Sequence, residues 1–284
     1  GVQSAAGHRP EREGQSWQQP RLAHGLVWCL HNAPNAGGRM ARSLKGIALV
    51  VTLGTLLSKV GGLIRQLVIA AAFGVGAAYD AYNYAYVLPG FLLILLGGIN
   101  GPFHSAMVSV LSRRPRAEGA HILAALNTSV SALLLLVTIV LVLAADPLIT
   151  LVGPGLAPEL HAIARVQLQV MAPMALLAGL IGLGFGSLNA ADEFWIPAIS
   201  PLMSSGALIL GVGLLWWQLG ADIALPSAAM TGGVVLALAT LVGALLQWLI
   251  QLPALIRQGL ARFQLVWDWR HPGVREVWRV MGPA

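Results

Sequence analysis

The sequence predicts an all-α fold, a polytopic integral membrane protein with about six transmembrane helices. Hydrophobic residues make up 57% of the chain and charged residues only 10%, and the mean hydropathy is +0.75. Soluble domains carry about 25% charged residues. Long apolar runs also recur along the chain, and a run of about 20 such residues crosses a hydrocarbon core of ~30 Å.

The six predicted helices follow one another in clear succession after residue 40. Each apolar run is long enough to span the bilayer, and several are long enough to tilt. The runs cover residues 44–73, 80–111, 122–145, 161–189, 196–219 and 227–256. Several prolines lie inside or at the ends of these runs, as is common in transporters, where a cavity or a neighbouring helix satisfies the freed carbonyls.

The first 39 residues differ from everything that follows. They are polar, rich in Gly, Pro, Gln and Arg, and lack the continuous apolar core of a signal peptide. We interpret residues 1–39 as a disordered tail, and Met40, the first methionine, as an alternative start of the protein. Cys29 is the only cysteine, so one copy of the chain cannot form an internal disulfide.

The basic residues alternate between loops and predict the orientation of the helices. Lys and Arg precede the first run and follow the second and the sixth, whereas the loops after the first, third and fifth runs contain neither. Because cytoplasmic loops are enriched in Lys and Arg, both ends of the chain are predicted to be cytoplasmic. This bias also explains the pI of about 10.2 without a nucleic-acid partner.

Two cations, Lys59 and Arg65, lie inside the first apolar run. Lys59 is roughly 22 Å from residue 44, near the middle of the hydrocarbon core. A charge at this depth is costly and normally faces water, a partner or a substrate. Gly61 and Gly62 lie between the two cations, where they would let the helix bend. The alternative is that both side chains snorkel to the interfaces, which is easier for Arg65 than for Lys59.

The acidic residues narrow the class of substrate. All eleven lie in the tail, in loops or at helix ends, whereas a cation or drug antiporter usually needs an intramembrane carboxylate. Positive charges inside the membrane favour an anionic substrate such as a diphosphate. Arg165 would either add to this charge or anchor its helix at the outer interface. The chain shows none of the common catalytic motifs and no cofactor motif, so we expect a protein that is not an enzyme and needs no cofactor.

The first two helices carry a specific resemblance. The patterns are Ser58-Lys59-Val-Gly61-Gly-Leu-Ile-Arg65, Phe73-Gly74-Val-Gly76-Ala-Ala-Tyr-Asp80 and Leu88-Pro89. They resemble the opening of the MurJ/MviN family, the lipid II flippases of peptidoglycan synthesis, within the superfamily of multidrug and polysaccharide exporters. The resemblance implies an inner-membrane transporter with a cationic central cavity. It also implies that this chain is one lobe of a two-lobed exporter whose C-terminal lobe is missing here.

That resemblance assigns further residues to a substrate site. Asp80 would belong to a lateral portal, although a role as the N-cap of the second helix is compatible. Tyr79, Tyr82 and Tyr86 share one helical face, as an aromatic belt or as the lining of that portal. Asn100 is a further candidate for substrate binding, although it shares a face with His104 and such a pair commonly bonds between helices. Pro89, Gly97 and Gly98 join Gly61 and Gly62 as predicted hinges.

The chain beyond the sixth helix, residues 257–284, combines bulky apolar residues with arginines. It is predicted to be either an amphipathic segment on the inner leaflet or a plain cytoplasmic loop, followed by the start of a seventh helix. Residues 40–256 are then the six-helix lobe. Two other functions remain open at this point: an exporter of other lipid-linked oligosaccharides or drugs, and a membrane scaffold without transport.

Overall fold

A computed structural model describes residues 36–74, 76–98, 101–261 and 264–282. Residues 1–35 of the predicted tail and the candidate Asn100 lie outside the described residues. Within the described part every regular element is helical, and six helical stretches are long and apolar enough to cross a membrane. The prediction of an all-α membrane fold is therefore confirmed. The folded unit considered below begins at Leu49.

The six spans are built from more helices than the apolar runs suggested. The α-helices are α1 (Ala36–Phe73), α2 (Ala77–Gly97), α3 (Pro102–Leu111), α4 (Arg116–Leu143), α5 (Ala145–Val152), α6 (Pro158–Met171), α7 (Met174–Asn189), α8 (Trp195–Ile199), α9 (Pro201–Leu219), α10 (Ala229–Leu249), α11 (Leu252–Arg257) and α12 (Pro272–Met281). Two short 3-10 helices, Gly220–Ala224 and Pro226–Ala228, join α9 to α10. The short helix α5 had no counterpart among the predicted elements.

The second, fourth, fifth and sixth predicted helices are each interrupted, the fifth at Ser200 before Pro201. The second ends at Gly97 and resumes at Pro102, the fourth breaks before Pro173, and the sixth breaks before Pro253. Proline removes a backbone donor and clashes with the preceding turn, while glycine weakens the helix. Pro102 is the first residue of α3, where its missing N–H costs nothing.

Helix α7 forms the centre of the bundle. Its buried residues run almost without interruption from Met174 to Leu188, and it packs against α2, α3 and α4. Two of its glycines allow this close approach. A Cβ at Gly182 would lie 1.9 Å from the Leu96 carbonyl oxygen, and one at Gly179 would lie 2.3 Å from Leu134. Small residues at helix contacts are how membrane bundles pack tightly.

Buried polar side chains hold the surrounding helices together. Gln167 of α6 is fully buried, and its amide donates to the Ala78 carbonyl of α2 at 3.1 Å and to the Gly233 carbonyl of α10 at 3.0 Å. The Tyr82 and Thr240 hydroxyls are 2.9 Å apart. An unpaired polar group in hydrocarbon costs several kcal/mol, about the cost that these bonds avoid. They therefore fix α2, α6 and α10 relative to one another.

The segment after the sixth span folds back as an amphipathic helix. In α12, Val274 and Val277 are completely buried against α3 and α4. The backbone N–H of Gly273 donates to His271 Nδ1 at 3.1 Å and caps the helix. Its apolar face is thus directed at the bundle, and the choice between a segment on the inner leaflet and a plain cytoplasmic loop stays a prediction.

Charged side chains attach this segment to the start of α4. The Arg114 guanidinium bridges Glu118 and Glu276, the latter at 2.6 Å. His121 Nε2 lies 3.1 Å from Asp268 Oδ2, and this contact holds the pKa of the Asp268 carboxyl below its usual range. Because the pKa is lowered in the folded state, the stabilisation is present above the ordinary aspartate pKa. It is lost as the pH falls through the lowered value.

Replacing Arg114 by alanine should loosen α12 from the bundle. Both glutamates would lose their cation, and since the cluster is partly exposed we expect a loss of about 1 kcal/mol. Cleavage by trypsin at Arg275 and Arg279 in the folded protein should become about fivefold faster. The neighbouring Arg113, exposed and unpaired among the described residues, provides the control, because Arg113→Ala should leave the cleavage rate unchanged. Equal rates for the two variants would contradict the bridging role.

Candidate functional site

A cavity of about 700 Å³ lies between α1, the α2–α3 break, α7, α9 and α10. It sits where the interrupted second span meets the ends of neighbouring helices. Its lining residues are Ser58, Gly62, Arg65, Tyr86, Leu93, Ile94, Leu95, Gly97, Gly98, Gly101, Pro102, Phe185, Pro201, Ser204, Ser205 and Gln247.

One face of α1 forms the cationic wall of this cavity. Ser58, Gly62 and Arg65 are spaced four and three residues apart, so they lie on the same helical face. The Ser58 hydroxyl donates to the Ala198 carbonyl at 2.7 Å. At Gly62 a Cβ would meet no atom within 4 Å, so the missing side chain widens the cavity.

Arg65 places a permanent positive charge in that wall. Its side chain is partly exposed, and its Nε is buried without a hydrogen-bond partner among the described residues. A buried donor without a partner is costly. The guanidinium is therefore available to an anionic ligand, to which it can present a bidentate fork.

Lys59 does not share this wall. Successive helical residues are rotated by about 100°, so Lys59 follows Ser58 onto a neighbouring face, where it is exposed and outside the cavity lining. The bend predicted at the two glycines of α1 stays a prediction. The helix is continuous through Gly61 and Gly62, and a Cβ at Gly61 would lie 2.4 Å from Leu202. Gly61 serves close packing, and Lys59 and Arg65 lie on different faces of α1.

Two other predicted binding residues lie outside the cavity lining. Asp80 is in the first turn of α2, but Gly76 is the N-cap, so the N-cap role predicted for Asp80 is wrong while its interaction with the helix dipole is retained. The Arg165 guanidinium is half exposed and lies 3.7 Å from Asp146. This placement suits an anchor at the helix end. Substrate binding by Lys59, Asp80, Arg165 and Asn100 stays a prediction.

The remaining hinge candidates divide into two kinds. Gly97 and Gly98 lie at the α2–α3 break and line the cavity, although a Cβ at Gly97 would come within 3.1 Å of the Ala178 carbonyl. Pro89 is buried in the middle of α2, and the helix continues through it. The break in this span is therefore at the glycines.

His104, paired with Asn100 in the sequence interpretation, bonds to another helix. Its Nε2 lies 2.7 Å from the Asn189 amide nitrogen of α7. This geometry confirms an interhelical hydrogen bond for the histidine, which is thereby accounted for without a ligand.

The sequence analysis did not identify several of the polar residues that line the cavity. Ser204, Ser205 and Gln247 line the cavity from α9 and α10. For the two serines, the available sequence signal was their position side by side in an otherwise apolar helix. Tyr86 also lines the cavity, at the inner end of a ladder in which the Tyr79–Tyr82 and Tyr82–Tyr86 ring centroids are 6.2 and 5.5 Å apart.

The chemistry of the described lining is that of an anion site. It combines one guanidinium with serine and tyrosine hydroxyls and an amide, and the lining residues include no carboxylate. Among the described residues no group of three or more His, Cys, Asp or Glu is arranged to hold a metal ion. The six apolar spans, five of which line this cavity, define a polytopic membrane protein with a cationic internal cavity.

Comparison with known proteins gives the family. The family model described as "Lipid II flippase MurJ" matches residues 69–284. The chain is 54% identical over 247 residues to a probable lipid II flippase MurJ of Synechocystis sp., covering 87% of this chain and 46% of that protein. It is 30% identical to the lipid II flippase MurJ of Burkholderia cenocepacia, covering 83% and 45%.

The fold agrees with that of a solved structure. The solved structure described as "Lipid II flippase MurJ, inward closed conformation" matches with a TM-score of 0.64 at 21% identity, over 82% of this chain and 47% of that one. The chain therefore belongs to the MurJ family and is a multi-pass protein of the bacterial inner membrane. It spans about half the length of the curated relatives it matches.

Proposed function

We propose that the protein, with the remainder of a two-lobed chain, flips lipid II across the cytoplasmic membrane by alternating access for cell-wall biosynthesis. Membership of the family and the similarity to relatives named as lipid II flippases support this function. The proposed activity is transport without covalent chemistry, so the protein would not be an enzyme. Its partners would be the undecaprenyl-linked substrate, membrane lipids and the C-terminal lobe of the same chain.

The observation that carries the proposal is Arg65. A lipid-linked diphosphate must move its anionic group through a hydrocarbon core, where an uncompensated charge is expensive. Among the residues that the structure describes, the cavity offers a guanidinium whose buried Nε has no partner, in a wall that includes no carboxylate. Hydroxyls and the Gln247 amide of the same cavity can then bond the sugar part of the substrate.

Transport can be tested with the full-length natural chain in proteoliposomes that contain fluorescent lipid II. We expect the labelled head group to become accessible to an impermeant quencher faster than in protein-free vesicles. A matched lipid-linked sugar monophosphate tests specificity. Equal rates for the two substrates would favour the alternative, an exporter of other lipid-linked oligosaccharides. The absence of transport for both would favour a scaffold.

We further propose that both ends of the six-helix lobe face the cytoplasm, as the distribution of arginines suggests. Single cysteines placed at Pro154 and Ala221, both exposed, should react with an impermeant thiol reagent added outside intact cells, once Cys29 is replaced by serine. A cysteine at Ala117, also exposed, should react only after the membrane is opened. Labelling at position 117 in intact cells would contradict the proposed orientation.

A further inference from the structure

A second cavity, separate from the Arg65 cavity, lies between α4, α7, α11 and the segment that follows α11. Its volume is about 580 Å³, and it extends along α4 from Leu123 to Leu135. Twelve residues of helix correspond to roughly 18 Å, so the cavity is a groove that runs along the helix. Leu176 and Leu180 of α7 give its deep part an apolar wall.

One end of this groove is polar and lies at the level of the arginine-rich segment. The Thr128 hydroxyl accepts a hydrogen bond from the Val266 backbone N–H at 3.1 Å, which places residues 264–267 beside this turn of α4. Gln264 and Trp267 line the groove here, and Trp267 is 65% exposed. Exposed tryptophans favour the interface between head groups and hydrocarbon. The groove therefore descends from the interface into the hydrocarbon core.

Two polar side chains inside the groove have no protein partner among the described residues. Asn127 and Ser131 lie one turn apart on α4 and both line the groove, but neither side chain takes part in a hydrogen bond with the described chain. Thr128, between them, is occupied by Ala124 and Val266. The amide of Asn127 and the hydroxyl of Ser131 can donate hydrogen bonds to the ester carbonyls of a glycerolipid, which lie at the same depth in the bilayer.

The charge of the chain that follows the groove residues selects the type of lipid. Arg257, Arg270, Arg275 and Arg279 are all exposed, and in the part of the chain that the structure describes none of the four forms an ion pair. Arg257 ends α11, two residues after the groove residue Leu255. Basic residues at the membrane surface attract anionic lipids, each by about 1 kcal/mol or about fivefold in affinity.

We propose that this groove binds an anionic phospholipid of the leaflet at the arginine-rich end of the lobe. One acyl chain lies between α4 and α7, the ester group bonds Asn127 and Ser131, and the phosphate faces the arginines that follow the groove residues. This site is separate from the Arg65 cavity and does not depend on the substrate that the Arg65 cavity carries. The lipid would join α4 to the segment after α11 and so help to hold that segment in place.

The test uses the full-length natural chain, purified in mild detergent and examined by native mass spectrometry with added phosphatidylglycerol or phosphatidylcholine. We expect one phosphatidylglycerol to remain bound, with an affinity at least fivefold above that for phosphatidylcholine. Ser131→Phe, which fills the groove, should abolish this retention. Leu136→Phe, at an exposed position on α4 that does not line the groove, is the matched control and should retain the lipid. Arg257→Gln should reduce the preference for phosphatidylglycerol about fivefold.

A photo-crosslinking residue at Leu135 identifies the occupant directly and does not require a variant that removes the site. A crosslink to phospholipid in cell membranes supports the proposal. A crosslink to the C-terminal half of the chain, to a second copy, or to an isoprenoid lipid overturns it, as does equal retention of the two phospholipids. Size-exclusion profiles of the variants separate loss of lipid from loss of folding.

Discussion

Replacing Arg65 by glutamine should abolish complementation of a flippase-depleted cell by the full-length protein while the protein remains in the membrane. The substitution removes the guanidinium from the wall formed by Ser58, Gly62 and Arg65. A hydrogen bond to a charged group contributes roughly 1.5–3 kcal/mol, so binding of a soluble diphosphate-sugar analogue should weaken on the order of 10- to 100-fold. The two measurements together distinguish a binding defect from a defect in transport.

Two further variants separate the role of Arg65 from a general requirement for charge in α1. Arg65→Lys retains the charge but loses the bidentate fork, so it should complement partially. Lys59→Gln removes the same charge from an exposed neighbouring face and should weaken analogue binding less than Arg65→Gln. If the Arg65→Gln protein complements fully, the anionic-site proposal is wrong. If Lys59→Gln is equally damaging in the binding assay, the ligand also contacts the face that carries Lys59.

The largest effect on folding is expected at Gly182. A Cβ there would lie 1.9 Å from the Leu96 carbonyl oxygen and 3.3 Å from Phe103, so Gly182→Ala must push α7 away from the α2–α3 break. Overpacking of this kind costs roughly 1–3 kcal/mol, and more where backbone must move. We expect a clear drop in melting temperature and loss of the monodisperse peak in size-exclusion chromatography.

Gly213 provides a matched position for the same change. It is also helical, in α9, but a Cβ there would meet no atom within 4 Å. Because alanine has a higher helix propensity than glycine, Gly213→Ala should be neutral or slightly stabilising. A similar loss of stability in both variants would mean that the effect at position 182 does not arise from the contact with α2.

The sequence was sufficient for the number and order of the spans because hydropathy over about 20 residues is a strong local signal. The sequence was a poorer guide to the positions at which helices are interrupted. Gly97 and Gly98 were predicted as hinges, and α2 ends at them beside the cavity. Pro89 is accommodated in a continuous α2. Whether a proline breaks a helix depends on neighbouring helices, which the local sequence does not report.

The candidate site was predicted in part. Arg65 was found because a cation in an apolar run is conspicuous, and the structure places it in the cavity wall. Lys59 had the same signal but lies on another face, since residues six apart on a helix are separated by about 120° around its axis. Ser204, Ser205 and Gln247 come to the cavity through tertiary packing, and uncharged polar residues in a span more often bond between helices.

The interruption between α2 and α3 has a consequence for the solvent inside the protein. The interruption opens the cavity where α2 ends, at Leu95, Gly97 and Gly98. The guanidinium, hydroxyls and amide that line this cavity are too costly to keep dry in a medium of low dielectric constant. The cavity must therefore be wetted whenever a substrate is not filling it. Entry of a head group then exchanges one set of polar partners for another, so the barrier to loading depends on how readily that water can leave.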